Sequence, residues 1–336
     1  MLHNRKLFLV LILVLGMCGA FAQQKSRNTL HMYNTSSFNS AYVGSNTFGE
    51  AMYGRREQQI VFGDSKGFGP KTDWASVHMP ISKINSGLGL AFTQDQIGFE
   101  HTFDLRLQYA YHFKLGEGKL GIGVDLGVVN YQFSLEDAVY PNALGSGNSG
   151  QSDPWLKSKF DKGDGIWKFQ FGAGVFYRNK NIYLGLSSTQ INEPKFDIDN
   201  DDISYVSRTY WLTAGYKYQT SNPLWVIKPS ALIKANFNAE NSLNSVAQIS
   251  LDLMFQYNKF VIAGVTYTSA SDISPVVGVE INNGSKLDGL RALVAYDLTW
   301  SALRAGSSGS FEFMIGYSFN LSIEKVTKSY KSVRFL

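Results

Sequence analysis

Cysteine is almost absent from this chain. The single cysteine among 336 residues, Cys18, lies in an apolar stretch at the very start. If that stretch is a leader that is removed, the remaining chain has no thiol, which excludes disulfides and cysteine chemistry. After the leader, no run approaches the ~18 consecutive apolar residues of a membrane helix. The formal net charge is only +4, which excludes a basic field of the kind that binds nucleic acid.

Histidine is scarce as well. The five histidines show no paired metal-ligand spacing; they are His3, His31, His78, His101 and His112. A hydrolase needs a nucleophile, a histidine and an orienting group in contact, and no histidine lies in a segment with a recognisable nucleophile motif. The sequence therefore predicts no catalytic residues, no metal site and no cofactor.

The first residues have the features of a secretory signal peptide. Met1–Ala22 contains two basic residues, an apolar run, and a small-residue cleavage site at Ala20–Ala22. One alternative is a short buried helix. Another is a lipoprotein site at Cys18, which the bulk of Met17 disfavours. We expect cleavage near Ala22 and export of the rest of the chain.

The most informative segment runs from Phe103 to Lys114. Its residues alternate between an apolar set (Phe103, Leu105, Leu107, Tyr109, Tyr111, Phe113) and a mostly polar set (Asp104, Arg106, Gln108, Ala110, His112, Lys114). Successive side chains of a strand point to opposite faces. An ordinary strand has about 5–6 residues, whereas a tilted strand that crosses a bilayer needs roughly 9–11. The aromatic ends of the apolar face are typical of barrel strands at the two membrane interfaces. The segment therefore predicts one strand of an outer-membrane β-barrel, with the apolar set facing lipid.

About fourteen segments of this kind follow one another. They are Thr47–Gln59, Asp73–Ser82, Asn85–Gln94, Glu100–Lys114, Lys119–Ser134, Gly165–Arg178, Asn181–Ser188, Thr209–Gln219, Trp225–Ala235, Val246–Tyr257, Phe260–Thr268, Asp272–Asn282, Arg291–Leu298 and Gly309–Asn320. Apart from the segment around Phe103, the alternation is clearest in those that begin at Gly165, Val246 and Gly309. A soluble β-sandwich also has alternating strands, but the strand length, the aromatic ends and the export signal favour a membrane barrel.

The connections between the segments give the orientation. Every second connection is short, and most of the others are longer, as expected for periplasmic turns and outer loops. This pattern predicts an all-β, up-and-down antiparallel transmembrane barrel with both termini in the periplasm. The predicted organisation is a signal peptide at 1–22, a segment at 23–46 that either dangles in the periplasm or enters the lumen, the barrel at 47–320 and a basic periplasmic tail at 321–336.

Alternation also predicts which polar side chains face the lumen. The candidates are Asp104, Arg106, Gln108, His112, Lys114, Lys168, Arg178, Asp252 and Glu312. They include both signs of charge, so they are expected to pair with one another, or with residues 23–46 if that segment enters. An ion pathway through the lumen is the alternative.

Two short motifs resemble ligand-binding sites. Gly116–Gly121 fits the dinucleotide pattern G-x-G-x-x-G, but that pattern needs a following helix, and an alternating segment follows instead, which predicts a hairpin. Asp197–Asp202 is rich in carboxylates, as calcium sites are, but lacks the EF-hand spacing. A solvated acidic loop is the simpler interpretation, with calcium binding as the alternative.

Two regions are candidates for binding a partner. Trp155 and Phe160 lie in the long predicted outer loop. The tail carries four basic residues, Lys325, Lys328, Lys331 and Arg334, against one acidic residue, Glu324. The tail is either idle and disordered or docks a partner in the periplasm.

Several motifs in order resemble the PorP/SprF membrane proteins that are associated with type IX secretion and gliding motility in Bacteroidetes. The likeness runs from about Tyr33 to the C-terminus. Asn39-x-Ala41-Tyr42-x-Gly44-Ser45 resembles the family's N-terminal motif, although Ser40 replaces the usual proline. The other matching stretches are Asp95–Gly98, Tyr109–Leu120, Tyr183–Ser187, Lys228–Leu232 and Arg334–Leu336. The stretch Tyr53–Gln58, in the first predicted strand, departs from the family pattern.

The resemblance implies a non-enzymatic barrel in the outer membrane that supports secretion or surface anchoring of cargo proteins. The implied partners are outer-membrane lipid, type IX components that include a periplasmic peptidoglycan-binding lipoprotein, and cargo with a C-terminal sorting domain. An outer-membrane channel or small-molecule transporter is the alternative function. An outer-membrane hydrolase, whose activity mutation of His112 would abolish, is a third.

Overall fold

The computed structural model describes most of the barrel. The described residues are 28–58, 69–98, 100–133, 165–198, 201–236, 246–269, 272–282, 284, 287–299 and 309–320. The predicted signal peptide, the basic tail with its four cationic residues, and the loop with Trp155 and Phe160 lie outside these residues. No helix of the described part is long and apolar enough to span a membrane.

Antiparallel strands make up nearly all of the described chain. They are β1 (Gly49–Glu57), β2 (Lys71–Ile81), β3 (Ser86–Ile97), β4 (Glu100–Leu115), β5 (Gly118–Phe133), β6 (Ile166–Arg178), β7 (Ile182–Thr189), β8 (Lys195–Ile198), β9 (Asp201–Tyr205), β10 (Thr209–Tyr216), β11 (Tyr218–Gln219), β12 (Trp225–Asn236), β13 (Val246–Tyr257), β14 (Val261–Thr268), β15 (Asp272–Glu280), β16 (Leu290–Thr299) and β17 (Ser310–Phe319). All fourteen predicted segments form strands, with ends that differ by a few residues. The sequence did not predict the separate hairpin of β8 and β9.

The large sheet closes on itself. Neighbours in the chain pair along most of the sheet, β1 pairs with β17, and β10 pairs with β12. The two residues of β11 continue β10 after a break at Lys217. When β10 and β11 are counted as one strand, the barrel has fourteen strands. The prediction of a fourteen-stranded antiparallel barrel is confirmed. A closed cylinder has no edge strand, which removes the unpaired backbone groups that lipid cannot satisfy.

The two faces of the strands follow the predicted alternation. On β4, Leu107 is 60% exposed, whereas its neighbours Arg106 and Gln108 are buried at 1% and 0%. On β6, Phe169 points outward and Gln170 inward. A soluble sandwich would bury such apolar side chains, so the sandwich alternative is wrong. The exposed apolar face is the surface that lipid covers in a membrane barrel.

The strands end at two different rims. At one rim, which we call the short-turn end, brief connections join β2 to β3, β4 to β5, β6 to β7, β10 to β12 and β13 to β14. Leu115 and Gly118 pair across the two-residue turn between β4 and β5, where Gly116 has φ +57°. The G-x-G-x-x-G stretch is therefore part of a hairpin, as predicted. β1 begins and β17 ends at this same rim, and we call the opposite rim the long-loop end.

Residues 28–46, which we call the plug, lie inside the barrel. This was one of the two positions that we expected for this segment. The plug contains three short 3-10 helices, His31–Tyr33, Thr35–Ser37 and Ser40–Tyr42. Its apolar side chains pack on the inner wall in two clusters, one around Leu30 and one in which Phe38 contacts Trp211 and Leu232. The core of the molecule is thus the filled lumen.

Candidate functional site in the barrel lumen

The plug contains no Asp, Glu, Lys or Arg, and His31 is its one basic side chain. The inner wall, in contrast, carries buried charges on several strands. A nearly neutral segment in a charged lumen binds mainly through its backbone groups and its hydroxyl and amide side chains. Most contacts of the plug with the wall are of this kind.

One row of wall side chains on β4 holds carbonyl oxygens of the plug. Arg106 Nη2 donates to Ser37 O at 2.6 Å, and Gln108 Nε2 donates to Ser36 O at 2.7 Å. Further along the strand, His112 Nε2 donates to Val43 O at 2.8 Å. All three wall residues were predicted to face the lumen. Short 3-10 helices leave carbonyl groups without partners inside the helix, and this row supplies donors to such groups.

Asp104 accepts hydrogen bonds from Arg106 and from a second set of wall side chains. Arg106 Nε donates to Asp104 Oδ1 at 3.0 Å, and Gln170 Nε2 donates to the same oxygen at 2.7 Å. Gln190 Nε2 donates to Gln170 Oε1 at 3.0 Å. The pair of Asp104 and Arg106 neutralises both buried charges and fixes the guanidinium that reaches Ser37. Sequence reasoning missed the two glutamines because their contacts to β4 come from distant parts of the chain.

A second cluster anchors the start of the plug. Arg56 pairs with Asp297, and its Nη1 lies 3.1 Å from Glu312 Oε2. The backbone N–H groups of Thr29 and Leu30 donate to the two oxygens of Glu312 at 2.6 and 3.1 Å. Two carboxylates thus face one guanidinium. Backbone donors of the plug also bind Glu312, and the hydroxyl groups of Ser274 and Thr29 donate to Asp297. Glu312 was a predicted lumen residue, but Arg56 and Asp297 were not.

His31 makes the ionic contact of the plug itself. Its Nε2 lies 3.1 Å from Asp252 Oδ2, and Ser230 and Thr266 donate to the two oxygens of Asp252 at 2.7 and 2.9 Å. Burial by itself lowers the pKa of His31, but the nearby negative charges of Asp252 and Glu312 act against burial, and the pKa is raised. The contact is therefore stabilised by protonation of the imidazole.

A third cluster holds the end of the plug at the short-turn end. Asn46 Nδ2 donates to Glu50 Oε2 at 2.7 Å, and the Tyr42 hydroxyl donates to the same oxygen at 3.1 Å. Arg291 Nη1 lies 3.8 Å from Glu50 Oε1. Burial, with the charge of Glu50, raises the pKa of the Tyr42 phenol, which keeps the proton that it donates to the carboxylate.

Glycines on the wall allow the plug backbone to lie directly on the strands. A Cβ on Gly123 would lie 2.3 Å from the backbone N of Ala41, and a Cβ on Gly87 would lie 2.2 Å from Val43 O. Gly44 itself has φ +72°, a conformation that favours glycine. Asn39 Oδ1 accepts from Ala41 N at 3.0 Å, and Asn39 Nδ2 donates to Val175 O at 3.1 Å. The backbone of the stretch Asn39–Ser45 therefore lies directly against the wall.

The predicted lumen residues occupy three kinds of position. Six are buried in the lumen: Asp104, Arg106, Gln108, His112, Asp252 and Glu312. Lys168 and Arg178 are half-buried, and Arg178 donates to Asn46 Oδ1. Lys114 is exposed and lies opposite Lys119 near the short-turn end. Lys114 follows His112 on the same face of β4, at the open rim of the barrel.

No metal site is evident in the part of the chain that the structure describes. That part has no group of three or more His, Cys, Asp or Glu side chains able to hold a metal ion. The backbone of Asp197–Asp202 contributes to the hairpin of β8 and β9, but Asp199 and Asn200 lie outside the described residues. A solvated acidic loop remains the prediction for this stretch, with calcium binding as the alternative.

Comparison with known proteins decides the family. The family model described as type IX secretion system membrane protein PorP/SprF matches residues 20–317. The chain belongs to the PorP/SprF family. The resemblance that the motifs indicated is confirmed over most of the chain. No curated protein sequence matches it.

Solved structures that resemble this PorP/SprF barrel are distant. The Pseudomonas putida toluene transporter TodX is 14% identical, with a TM-score of 0.46, over 85% of this chain and 94% of that one. A Pseudomonas aeruginosa FadL homologue is 12% identical, with a TM-score of 0.45, over 90% and 100%. Outer membrane phospholipase A from Escherichia coli is 12% identical, with a TM-score of 0.33, over 88% and 99%. These likenesses are too remote to indicate a function.

The family-like motifs of this PorP/SprF barrel converge on the plug. Ser187, in the motif on β7, donates from Oγ to Phe38 O at 2.7 Å. Ser230, in the motif on β12, donates to Asp252, the partner of His31. Gly98 closes the turn after β3 with φ +59°. Most of these stretches thus either contact the plug, directly or through a neighbouring residue, or form a turn between strands.

Proposed function

We propose that this PorP/SprF barrel is a non-enzymatic outer-membrane component of the type IX secretion or gliding machinery, which supports secretion or surface anchoring of cargo proteins. The observation that carries the proposal is the plugged lumen. A barrel whose interior is bound on several walls by its own N-terminal segment is suited to hold and position polypeptides at its rims. It is poorly suited to let small molecules pass.

The proposal extends to location and partners. The short-turn end would face the periplasm, where type IX components, including a peptidoglycan-binding lipoprotein, would dock against it and against the basic tail. The long-loop end would face outward, where cargo with a C-terminal sorting domain would bind. Trp155 and Phe160 are the side chains that we propose for cargo contact. The outer-membrane lipid would surround the apolar face, and no nucleic acid is involved.

An outer-membrane channel or transporter is the alternative. It requires the plug to leave the lumen, which would break the contacts of Ser36, Ser37 and Val43 with β4 and those of Thr29 with Glu312. A hydrolase is disfavoured because the ring of His112 is engaged with Val43 O. The arrangement therefore supports a holding role best.

Two measurements in the native cell test the proposal. Deletion of the chain is expected to abolish surface display of particular cargo proteins while other outer-membrane proteins remain. Isolation of a tagged copy from the native membrane, followed by mass spectrometry, is expected to recover type IX components and cargo. Unchanged surface display of every cargo protein after deletion would contradict the proposal.

A further inference from the structure

A cavity opens at the short-turn end of the barrel, between the end of the plug and the inner wall. Its volume is about 330 Å³, at the lower end of the range of about 300–1,000 Å³ that is typical of ligand pockets. It is lined by Tyr33 and Tyr42 of the plug, by Phe48 just after the plug, and by Tyr183 and Tyr216 of the wall. We call this cavity the vestibule.

The charges of the vestibule are predominantly positive. Five cationic side chains line it, Arg178, Lys180, Lys217, Lys228 and Arg291, against one carboxylate, Glu50. Arg291 is matched, since its Nη2 lies 2.9 Å from Glu280 Oε1 and its Nη1 lies 3.8 Å from Glu50 Oε1. Arg291 therefore does not contribute to the excess of positive charge in the vestibule.

In the described part of the chain, none of the other four cationic side chains lies within ion-pair distance of a carboxylate. Arg178 donates to the neutral oxygens of Asn46 and Ser45. Among the residues that the structure describes, no carboxylate lies within ion-pair distance of Lys180, Lys217 or Lys228.

Lys228 is the most informative of these residues. It lies opposite Met254 in the register of β12 and β13, and Met254 is buried on the lumen side, so Lys228 points inward. A cleft lined by one sign of charge between low-dielectric walls attracts ligands of the opposite sign. Lys228 and Lys217 repel one another, and the Glu280 carboxylate that attracts Lys228 is shared with Arg291. An anionic occupant would therefore stabilise this end of the barrel.

The lining indicates the kind of anion. Tyrosine and phenylalanine rings between cationic groups offer contact area for a peptide backbone and its side chains, beyond what an inorganic ion uses. Capture of acidic motifs by clusters of basic residues is a recurring form of peptide recognition. The tail of the chain, residues 321–336, is itself basic and has the same sign of charge as the vestibule, which disfavours it as the occupant.

We propose that the vestibule binds a carboxylate-rich segment of another polypeptide, held by Lys217, Lys228 and Arg178. This deepens the proposed function, on which it rests, because it gives the chemistry of one partner at the short-turn end. Lipid headgroups outside the barrel do not reach Lys228, since that side chain points into the lumen.

The test uses the full chain, purified in a non-ionic detergent. The probe is a short fluorescein-labelled peptide of alternating aspartate and glycine, and its binding is followed by fluorescence anisotropy. The matched control peptide alternates asparagine and glycine. We expect the acidic peptide to bind, binding to weaken as salt is raised, and the control peptide not to bind.

Variants locate the site. Lys228→Gln and Lys217→Gln are each expected to weaken binding about tenfold, the effect of losing one charge-assisted contact. Lys228→Arg keeps the charge and is expected to bind nearly as well as the parent. Lys83→Gln and Lys259→Gln serve as controls because both lysines are exposed at the same rim but do not line the vestibule. Retained heat-modifiable mobility in gels checks that each variant is folded.

Several results would overturn the proposal. The absence of binding, or equal weakening by the rim controls, would mean that no specific site exists. Displacement of the peptide by millimolar inorganic phosphate, with the same dependence on Lys228, would assign the vestibule to a small anion. Tighter binding to phosphatidylglycerol vesicles than to the peptide would assign the charge to lipid. If the peptide fails to bind while deletion of the chain still abolishes cargo display, the vestibule proposal fails and the proposed function stands.

Discussion

Gln108 Nε2, on the fourth strand, donates a 2.7 Å hydrogen bond to Ser36 O, in the plug. Gln108 is fully buried, and the two residues are 72 positions apart in the chain. A buried carbonyl group that loses its donor costs about 1–3 kcal/mol. Loss of this bond is therefore expected to weaken the binding of the plug to the barrel wall.

Replacement of Gln108 by Leu removes that donor at similar volume. We expect it to lower the free energy of unfolding by about 1–3 kcal/mol, measured by thermal or denaturant unfolding in detergent. Leu107→Ala is the matched control, since Leu107 is the next residue and points outward. If Gln108→Leu lowers the free energy of unfolding no more than Leu107→Ala does, the hydrogen bond from Gln108 to Ser36 does not stabilise the barrel.

Arg56→Ala leaves the carboxylates of Asp297 and Glu312 without their guanidinium. Removal of one partner of a buried ion pair costs about 3–5 kcal/mol. We expect a large loss of stability, together with protease cleavage inside residues 28–46. Arg55→Ala on the same strand is the control, because Arg55 is half-exposed and pairs with Glu57 and Asp73 near the surface. An equal loss of stability in the two variants would contradict a buried role for Arg56.

Gly123→Ala places a methyl group where the backbone of Ala41 lies. Overpacking of this kind costs about 1–3 kcal/mol, so the variant is expected to unfold at a lower temperature than the parent. In a chain that lacks residues 28–46, the same substitution meets no plug and is expected to have no such cost. A penalty of equal size in both chains would show that the plug is not the cause.

The contact of His31 with Asp252 makes docking of the plug depend on pH. The pKa of His31 is raised in the folded protein, so its contribution to stability is fully present below about 6.5, the usual histidine pKa, and is lost as the pH rises through the folded value. We expect amide hydrogen exchange near Leu30 to become faster over that range, beyond the intrinsic increase with pH. His31→Gln is expected to remove the extra pH dependence. The same pH profile in both proteins would contradict this role.

Much of the barrel follows from period-two alternation. On the fourth strand one face is apolar and exposed and the other is largely polar and buried, so the alternation indicates both the strand and its orientation. The turn at Gly116 was likewise predictable, because alternation resumes directly after it. The hairpin of the eighth and ninth strands is short and has no clear alternation, and it was not predicted.

The lumen was harder to predict. The plug has no periodicity, and its place depends on contacts with strands far away in the chain, so both positions stayed open. Glu312 was recognised from its face, but its partner Arg56 lies 256 positions away. Neither alternation nor composition carries such pairing information. The glycines at 87 and 123 look like ordinary small residues until the plug backbone is placed against them.

The most direct test of the central claim is single-channel recording in planar bilayers. The full chain, reconstituted without other proteins, is expected to show no steady conductance, because its lumen is filled. The same chain without residues 28–46 is expected to conduct. A stable open conductance of the full chain, equal to that of the shortened chain, would contradict a plugged barrel that works by holding polypeptides.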